Sequence, residues 1–354
     1  MCFIVPNKAA AAPAAAADIV DGEQHLTLSP FAFSPTTAPK KMPVVADDDG
    51  QQYYWTAFSS LQAQGPGLMA AKTGTRRPGS VAVRSVWAHN LEEELALISS
   101  LLPRFRCAAV DTEFPGTVYR PTVPAYALTP EKRHALLKAN VDALHLIQLG
   151  LTLFDSSGRL PQLQNRTKTQ YAVWEFNFRE FDVRRDRHAP ESIALLRAKG
   201  VDLRRTREEG LDAAQFGPRL RKLLRAGLGA AGLVTFSGAY DVAYLVKMML
   251  GTGYRLPASP EAFQGVVRAM LRKRLYDVKE MARRCGSAGG DLRGGLDSLA
   301  AKLGVPRAVG EAHQAGSDSL LTCQAFIEIK ERFFANDDDE LATVAGVVAG
   351  ITAW

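Results

Sequence analysis

Cysteine is scarce in this 354-residue chain, and its spacing excludes two kinds of site. The chain has four cysteines, which form neither a CxxC pair nor the ligand spacing of a zinc site: Cys2, Cys107, Cys285 and Cys323. We therefore expect neither a framework of disulfide bonds nor a structural zinc ion. This pattern of cysteine usage favours a reducing compartment.

Long hydrophobic runs are also missing. No stretch of about 18 apolar residues occurs, and the first residues lack the basic segment and the long apolar stretch of a secretion signal. We therefore expect no membrane-spanning segment. A large excess of one charge is absent as well, since a net charge of +6 permits a polyanionic partner without requiring one.

The residues that are present divide the chain into three regions. Residues 1–80 are rich in Ala and Pro, with an alanine-rich block at Ala9 to Ala17, and are expected to form a disordered extension. Residues 81–335 contain apolar strand-like and helix-like segments in turn, which predicts one α/β domain with a central mixed β-sheet flanked by helices. Residues 336–354 form a C-terminal tail of small, apolar residues without a clear period.

The pattern predicts that this domain opens with a helix. Asn90 and Glu93 have the spacing of a capping box, and the helix is expected to end at Leu102, before Pro103. Short apolar runs bounded by turn residues predict strands at 106–114, 145–155, 171–178, 233–237 and 275–278. Helical spacing predicts further helices near 130–143, 191–198, 212–226, 241–250 and 317–334.

Two acidic residues end the first predicted strand. Asp111 and Glu113 are one residue apart, so alternation along an extended segment places both carboxylates on one face. Two close carboxylates repel each other unless they are protonated or bound to a metal, and such oxygen ligands suit Mg²⁺ or Mn²⁺. A pair of surface acids is the alternative interpretation. Their position at a strand end, where α/β sheets commonly place their sites, supports metal binding.

Two further signals lie later in the chain. Asp241 lies at the start of a predicted helix, where its alternative role is an interaction with the helix dipole. His313 lies on a loop, five residues before Asp318 in the last predicted helix. An imidazole can accept a proton from water near neutral pH while the neighbouring carboxylate binds a metal. Read alone, this pair also fits a loop histidine and a helix-dipole aspartate.

Taken in this order, the acids and the histidine resemble the DEDDh exonucleases. Longer segments resemble one narrower family, the Caf-type (Pop-type) poly(A) deadenylases, which are catalytic subunits of the CCR-NOT complex. These segments lie between Val81 and Phe334 and include AVDTEFPG, NVDALHLIQLGLTLFD, WEFNFREFD, TFSGAYDVAYLVKMML, LYDVKEM and HQAGSDSLLTCQAF. The resemblance implies an RNase H-like (DEDD exonuclease) fold for this part of the chain.

The same resemblance implies the chemistry of the site. Asp111, Glu113 and Asp318 would hold one divalent metal ion, and Asp111 and Asp241 would hold a second, each ion being Mg²⁺ or Mn²⁺. His313 would act as the general base that deprotonates water. Hydrolysis would then release a 5′-mononucleotide from the 3′ end of the RNA.

The resemblance also implies three substrate contacts. Phe114 and Leu296 fall where the family lines the path of the terminal adenylate, although both also fit simple core packing. Ser237 stands where the family usually has a histidine that faces the substrate groove. Serine can donate a hydrogen bond but cannot stack on a base, so we expect a weakened contact with poly(A) at this position.

By resemblance, the function is removal of poly(A) tails from messenger RNA, with release of 5′-AMP, in the cytoplasm and the nucleus. The implied partners are poly(A) messenger RNA, the large NOT scaffold subunit and a second deadenylase subunit. Two alternatives stay open. The chain could be a catalytically weak adaptor subunit of that complex, or a DEDDh exonuclease that acts on another RNA or DNA 3′ end.

Overall fold

The structure is a computed structural model that describes residues 80–124, 127–165, 168–271, 274–285, 291–334 and 338–352. Apart from Ser80, the extension predicted at 1–80 lies outside the described residues. Helices cover a sheet that has seven strands in the described part of the chain. None of the described helices combines the length and the hydropathy of a membrane span.

The sheet is mixed, as the sequence predicts. Its strands, in chain order, are β1 (Val81–Val86), β2 (Cys107–Glu113), β3 (Gln148–Phe154), β4 (Gln162–Asn165), β5 (Lys168–Asn177), β6 (Gly232–Thr235) and β7 (Leu275–Asp277). Their order across the sheet is β1-β5-β3-β2-β6-β7, and β4 pairs with the first residues of β5. β3 runs antiparallel to β2 and β5, whereas β6 runs parallel to β2 and β7.

The helices include all of those that the sequence predicts, with ends that differ by a few residues. They are α1 (Leu91–Leu101), α2 (Pro130–Ala143), α3 (Pro190–Ala198), α4 (Leu203–Glu209), α5 (Ala213–Ala226), α6 (Ala239–Leu250), α7 (Pro260–Leu271), α8 (Val278–Arg284), α9 (Leu296–Lys302), α10 (Ala315–Phe333) and α11 (Asp338–Val344). The sequence did not predict α4, α7, α8, α9 or α11.

The prediction that the domain opens with a helix is wrong, because β1 precedes α1 and pairs in parallel with β5. The predicted capping box is also not formed. The Asn90 side chain accepts a hydrogen bond from the Trp87 N–H at 2.8 Å and donates one to the Ser85 carbonyl at 3.1 Å. These two bonds stabilise the turn between β1 and α1 instead of capping the helix.

The sheet has a hydrophobic core on each face, and alternate residues of β2 contribute to the two cores. Ala108 and Val110 belong to the core that includes α6, whereas Cys107 and Ala109 belong to the core that includes α10. β2 is therefore buried between two helical layers up to its end, where the predicted acids lie.

The C-terminal segment, whose structure the sequence left undetermined, packs into both cores. Leu341 and Val344 join the core on the α10 side, and Val348 and Ile351 join the core on the α6 side. The backbone N–H of Gly346 donates a hydrogen bond to the carbonyl of Leu275 at 2.7 Å. The C-terminal segment therefore lies beside β7, at the edge of the sheet.

Candidate active site

The candidate site begins at the end of β2. Asp111 and Glu113 continue the alternation of Cys107 and Ala109, so both carboxylates lie on the face of the sheet that α10 covers. Glu113 is 9% exposed. The sequence predicted that these two carboxylates share one face, and the register of the strand agrees with that prediction.

A glycine on β3 lets α10 approach these acids. Gly150 pairs with Asp111, and a Cβ atom added to Gly150 would lie 1.8 Å from the Ala315 carbonyl oxygen. Any side chain here would collide with the backbone at the start of α10. The close packing at Gly150 brings the first turn of α10 next to the carboxylates of β2.

That first turn carries Asp318, and the loop before it carries His313. His313 has a left-handed backbone with a φ of 65°, and its N–H donates a hydrogen bond to Asp318 Oδ2 at 2.8 Å. Potential ligand atoms of Glu113, His313 and Asp318 lie within 4.8 Å of one another. The fold therefore brings together two motifs that are about 200 residues apart in the sequence.

Asp241 approaches the site from the other face of the sheet. It lies in the first turn of α6, directly after β6, which is the parallel neighbour of β2. Asp241 is 7% exposed, and its Oδ1 accepts a hydrogen bond from the Thr112 hydroxyl at 2.5 Å. Its charge raises the pKa of both Asp111 and Glu113, so the fourth predicted acid belongs to the same electrostatic cluster.

Burial raises the pKa of all four carboxylates, and repulsion from the other acids of the site adds to it for Asp111 and Glu113. For Asp111 and Glu113 the pKa is well above its usual value, chiefly through burial and then through the neighbouring acids. Burial also raises the pKa of Asp241 to about 7 and increases the pKa of Asp318, which the positive charge of Arg307 opposes. A divalent cation would relieve this repulsion.

The donor set fits such a cation. It consists of buried carboxylate oxygens, which are ligands that suit Mg²⁺ and Mn²⁺, and the His313 imidazole lies beside them. Oδ1 of Asp318 is buried and accepts no well-aligned hydrogen bond from any described residue, although Nη1 of Arg307 lies 2.6 Å away. A carboxylate oxygen has lone pairs for more than one partner, so the ion pair with Arg307 leaves Oδ1 able to bind a metal ion as well.

The acids open onto a cleft of about 320 Å³ between the end of β2, α3, the start of α9 and the loop before α10. Phe114 and Leu296, the two predicted adenylate contacts, both line it. Phe114 is 9% exposed and stacks on Tyr240, with 4.8 Å between the ring centroids. Core packing and substrate contact are therefore compatible for Phe114.

Ser237, the third predicted substrate contact, is not among the residues that line this cleft. It is exposed and has a left-handed backbone with a φ of 53° between β6 and α6. Its N–H donates a hydrogen bond to Asp277 Oδ1 at 3.0 Å. A contact between Ser237 and a substrate stays a prediction.

Sequence reasoning missed two residues that contact the acids. Thr112 lies between the two acids of β2, and alternation alone could have indicated that it faces α6. Arg307 lies on the loop between α9 and α10 and forms an ion pair with Asp318. An arginine on a loop carries no pattern in the sequence that reveals such a contact.

Comparisons with known proteins agree on one family. The sequence model of the CAF1 family ribonucleases matches residues 86–215. The probable CCR4-associated factor 1 homolog 10 of Arabidopsis thaliana is 39% identical over 280 residues, which are 78% of this chain and 95% of that protein. The poly(A) ribonuclease pop2 of Schizosaccharomyces pombe is 37% identical over 73% of this chain and 72% of its own length.

Solved structures give the same result. The Mg²⁺- and Mn²⁺-bound form of S. pombe Pop2p is 36% identical, with a TM-score of 0.64 over 76% of this chain and 99% of that one. A chain from the yeast NOT1 MIF4G domain co-crystallised with CAF1 is 26% identical, with a TM-score of 0.60 over 79% of this chain and 100% of that one. The predicted RNase H-like (DEDD exonuclease) fold is confirmed.

Proposed function

Because the chain belongs to the CAF1 family of ribonucleases, we propose that it is a metal-dependent 3′→5′ exoribonuclease that removes poly(A) tails from messenger RNA. One observation on this chain itself supports catalytic activity, in addition to the family membership. Glu113, His313 and Asp318 converge within 4.8 Å, and together with Asp111 they line one cleft. A chain without catalytic function has no physical reason to bury and crowd these carboxylates.

The four carboxylates hold the metal ions in this proposal. Asp111, Glu113 and Asp318 bind one ion, and Asp111 and Asp241 bind the second. Two Mg²⁺ or Mn²⁺ ions supply charge stabilisation for the phosphate and for the attacking and leaving oxygens of a phosphodiester hydrolysis. The bound form of Pop2p, which holds Mg²⁺ and Mn²⁺, supports this choice of metals.

The protein's own side chains orient the substrate and move the proton. His313 accepts the proton of the attacking water, and its backbone N–H holds Asp318 in place. Phe114 and Leu296 offer apolar surface to the terminal base. A cleft of about 320 Å³ has the size of a small-ligand site, which suits one 3′-terminal nucleotide, released as 5′-AMP.

The proposal includes assembly into the CCR-NOT complex. The similarity to CAF1 co-crystallised with the NOT1 MIF4G domain supports a large NOT scaffold subunit as partner. A second deadenylase subunit and a distribution over cytoplasm and nucleus complete the proposal, on the basis of the family resemblance.

An exonuclease assay tests the activity. The purified full-length chain is incubated with a 5′-labelled RNA that ends in oligo(A), with an RNA of mixed 3′ sequence and with single-stranded DNA. Mg²⁺, Mn²⁺ or EDTA is added in parallel. We expect stepwise shortening of the oligo(A) end, its loss in EDTA, and slower attack on the other two substrates.

The other outcomes separate the alternatives. Equal shortening of all three substrates would indicate a DEDDh exonuclease without preference for poly(A). No shortening of any substrate, together with normal binding to the NOT scaffold, would indicate a catalytically weak adaptor subunit.

A further inference from the structure

Arg307 places a buried positive charge beside the candidate metal site. Its side chain is 16% exposed, although it lies on the loop between α9 and α10. Nη1 lies 2.6 Å from Asp318 Oδ1 and donates a hydrogen bond of 2.6 Å to the Ser317 hydroxyl. On its other side, Nη2 donates a hydrogen bond to Asp297 Oδ1 at 2.7 Å. The guanidinium group therefore bridges two carboxylates.

These contacts connect three parts of the site. Asp297 lies in the first turn of α9, directly after the cleft-lining Leu296. Nη1 of Arg307 also lies 3.3 Å from the carbonyl of Glu311, on the loop that leads to His313. Asp318 belongs to the first turn of α10. Arg307 thus joins the rim of the cleft, the loop of the predicted base and one predicted metal ligand.

The loop itself is folded back onto α10. The Ser317 hydroxyl donates a hydrogen bond to the carbonyl of Val309 at 2.6 Å, and the Gln314 side chain accepts one from the N–H of Glu311 at 2.9 Å. Arg307 contacts this folded loop from the side of α9, through the Glu311 carbonyl and the Ser317 hydroxyl. Without Arg307, the carboxylate of Asp318 would keep only the hydrogen bond from the His313 N–H among its hydrogen bonds and ion pairs with the residues that the structure describes.

The geometry of the guanidinium group matters in addition to its charge. Arginine presents several donors in a planar fork, whereas lysine presents one flexible point charge. Arg307 contacts Asp297 and Asp318 through two different nitrogens, Nη2 and Nη1, and a lysine would offer one nitrogen for both.

We propose that Arg307 is a positioning residue, which fixes the carboxylate of Asp318 for metal binding and ties the rim of the cleft at α9 to the loop of His313. The inference rests on the proposed metal-dependent function. Outer partners that hold a ligating carboxylate typically contribute about 10-fold to 100-fold in metal affinity. Arg307 is such a partner for Asp318.

The test is Mn²⁺ binding to the full-length chain, measured by calorimetry without RNA. Arg307→Lys keeps the charge and removes the fork, and we expect it to weaken Mn²⁺ binding about 10-fold. Asp297→Asn removes one of the two bridged carboxylates and leaves Asp318 paired, so we expect a measurable loss that is smaller than that of Arg307→Lys. Arg332→Lys, another arginine on the α10 side that contacts Glu328 and the Leu303 carbonyl, serves as the matched control with unchanged binding.

Circular dichroism and thermal unfolding in EDTA show whether Arg307→Lys folds. If it folds and its Mn²⁺ affinity stays within about twofold of the wild type, or increases, the inference is wrong. If it does not fold, Asp297→Asn decides, and unchanged Mn²⁺ binding by that variant overturns the inference. A wild-type chain that binds Mn²⁺ but cleaves no RNA would contradict the proposed function and leave this inference standing.

Discussion

Asp111 occupies the central place among the acids of the candidate site. It is the carboxylate that both predicted metal ions would share. Burial, Asp241, Asp318 and Glu113 all raise its pKa, in that order of size. Its charge therefore opposes folding while it favours binding of a cation, and one substitution can separate these two effects.

We expect Asp111→Asn to abolish activity and to stabilise the metal-free protein. Loss of a shared ligand should reduce the cleavage rate by at least about 100-fold, since metal ions contribute several kcal/mol to such reactions. In EDTA at neutral pH, removing the buried charge should increase the free energy of unfolding by about 1 kcal/mol. Cleavage of oligo(A) and chemical denaturation measure the two effects.

The control for this variant is Asp202→Asn, at the exposed N-cap of α4. Asparagine caps a helix about as well as aspartate, so both activity and stability should stay near the wild type. An Asp111→Asn protein that cleaves oligo(A) at the wild-type rate would rule out the proposed ligand set.

Residue type and spacing marked the acids and the histidine as candidates, and the family resemblance joined them into one predicted site. Asp111 and Glu113 follow from strand alternation, because the register of a strand fixes which side chains share a face. The bond between Thr112 and Asp241 joins residues 129 positions apart, and no local pattern reports such a contact. Arg307 could not be predicted for the same reason.

At the scale of elements, Asp277 joins the end of β7 to three other segments. Its Oδ1 accepts hydrogen bonds from the N–H groups of Ser237 and Lys279, both at 3.0 Å. Its Oδ2 accepts from Gly238 at 2.9 Å and from Ala349 at 3.1 Å. The fully buried carboxylate thus holds the start of α6, which carries Asp241, and the C-terminal segment.

Asp277→Asn should destabilise the fold by about 2 kcal/mol or more. Either orientation of the amide turns an NH₂ group toward two backbone N–H groups, and each buried donor that loses its acceptor costs about 1 to 3 kcal/mol. In a domain of this size the melting temperature should fall by about 4 to 8 °C, which calorimetry can measure.

Asp212→Asn is the matched control for this prediction. Asp212 also accepts a backbone N–H, that of Gln215 at 3.0 Å, but it does so at an exposed N-cap of α5. The control should change stability by less than about 0.5 kcal/mol. Equal stability of Asp277→Asn and Asp212→Asn would contradict the inference that the Asp277 carboxylate holds these segments together.

Most of the predicted elements have a periodic or largely apolar pattern. β3, for example, is buried at every position. The two missed strands, β1 and β4, both pair with β5. Their strand structure depends on this pairing and not on a buried apolar pattern. α4, α8, α9 and α11 have seven residues each, and helices this short depend on tertiary packing that local sequence does not encode.

For the whole molecule, the buried acids make stability depend on pH and on metal. Asp111, Glu113, Asp241, Asp277 and Asp318 all have a raised pKa, chiefly through burial. The value is about 7 for Asp241 and about 6 for Asp277. In the unfolded chain these groups would titrate at about pH 4.

We therefore expect the metal-free protein to lose stability as the pH rises from about 5 to about 7.5. Each carboxylate has a higher pKa in the folded chain than in the unfolded chain, so between these two values the folded chain binds more protons. The stability that this proton binding provides is complete at low pH and is lost as the carboxylates of the folded chain ionise. Thermal unfolding in EDTA across this interval measures the loss, which should exceed about 1 kcal/mol relative to Asp241→Asn. Saturating Mn²⁺ should reverse it, because a bound cation favours the ionised acids. A wild-type stability that rises with pH in EDTA, in parallel with that of Asp241→Asn, would show that these carboxylates do not share one buried, repulsive site.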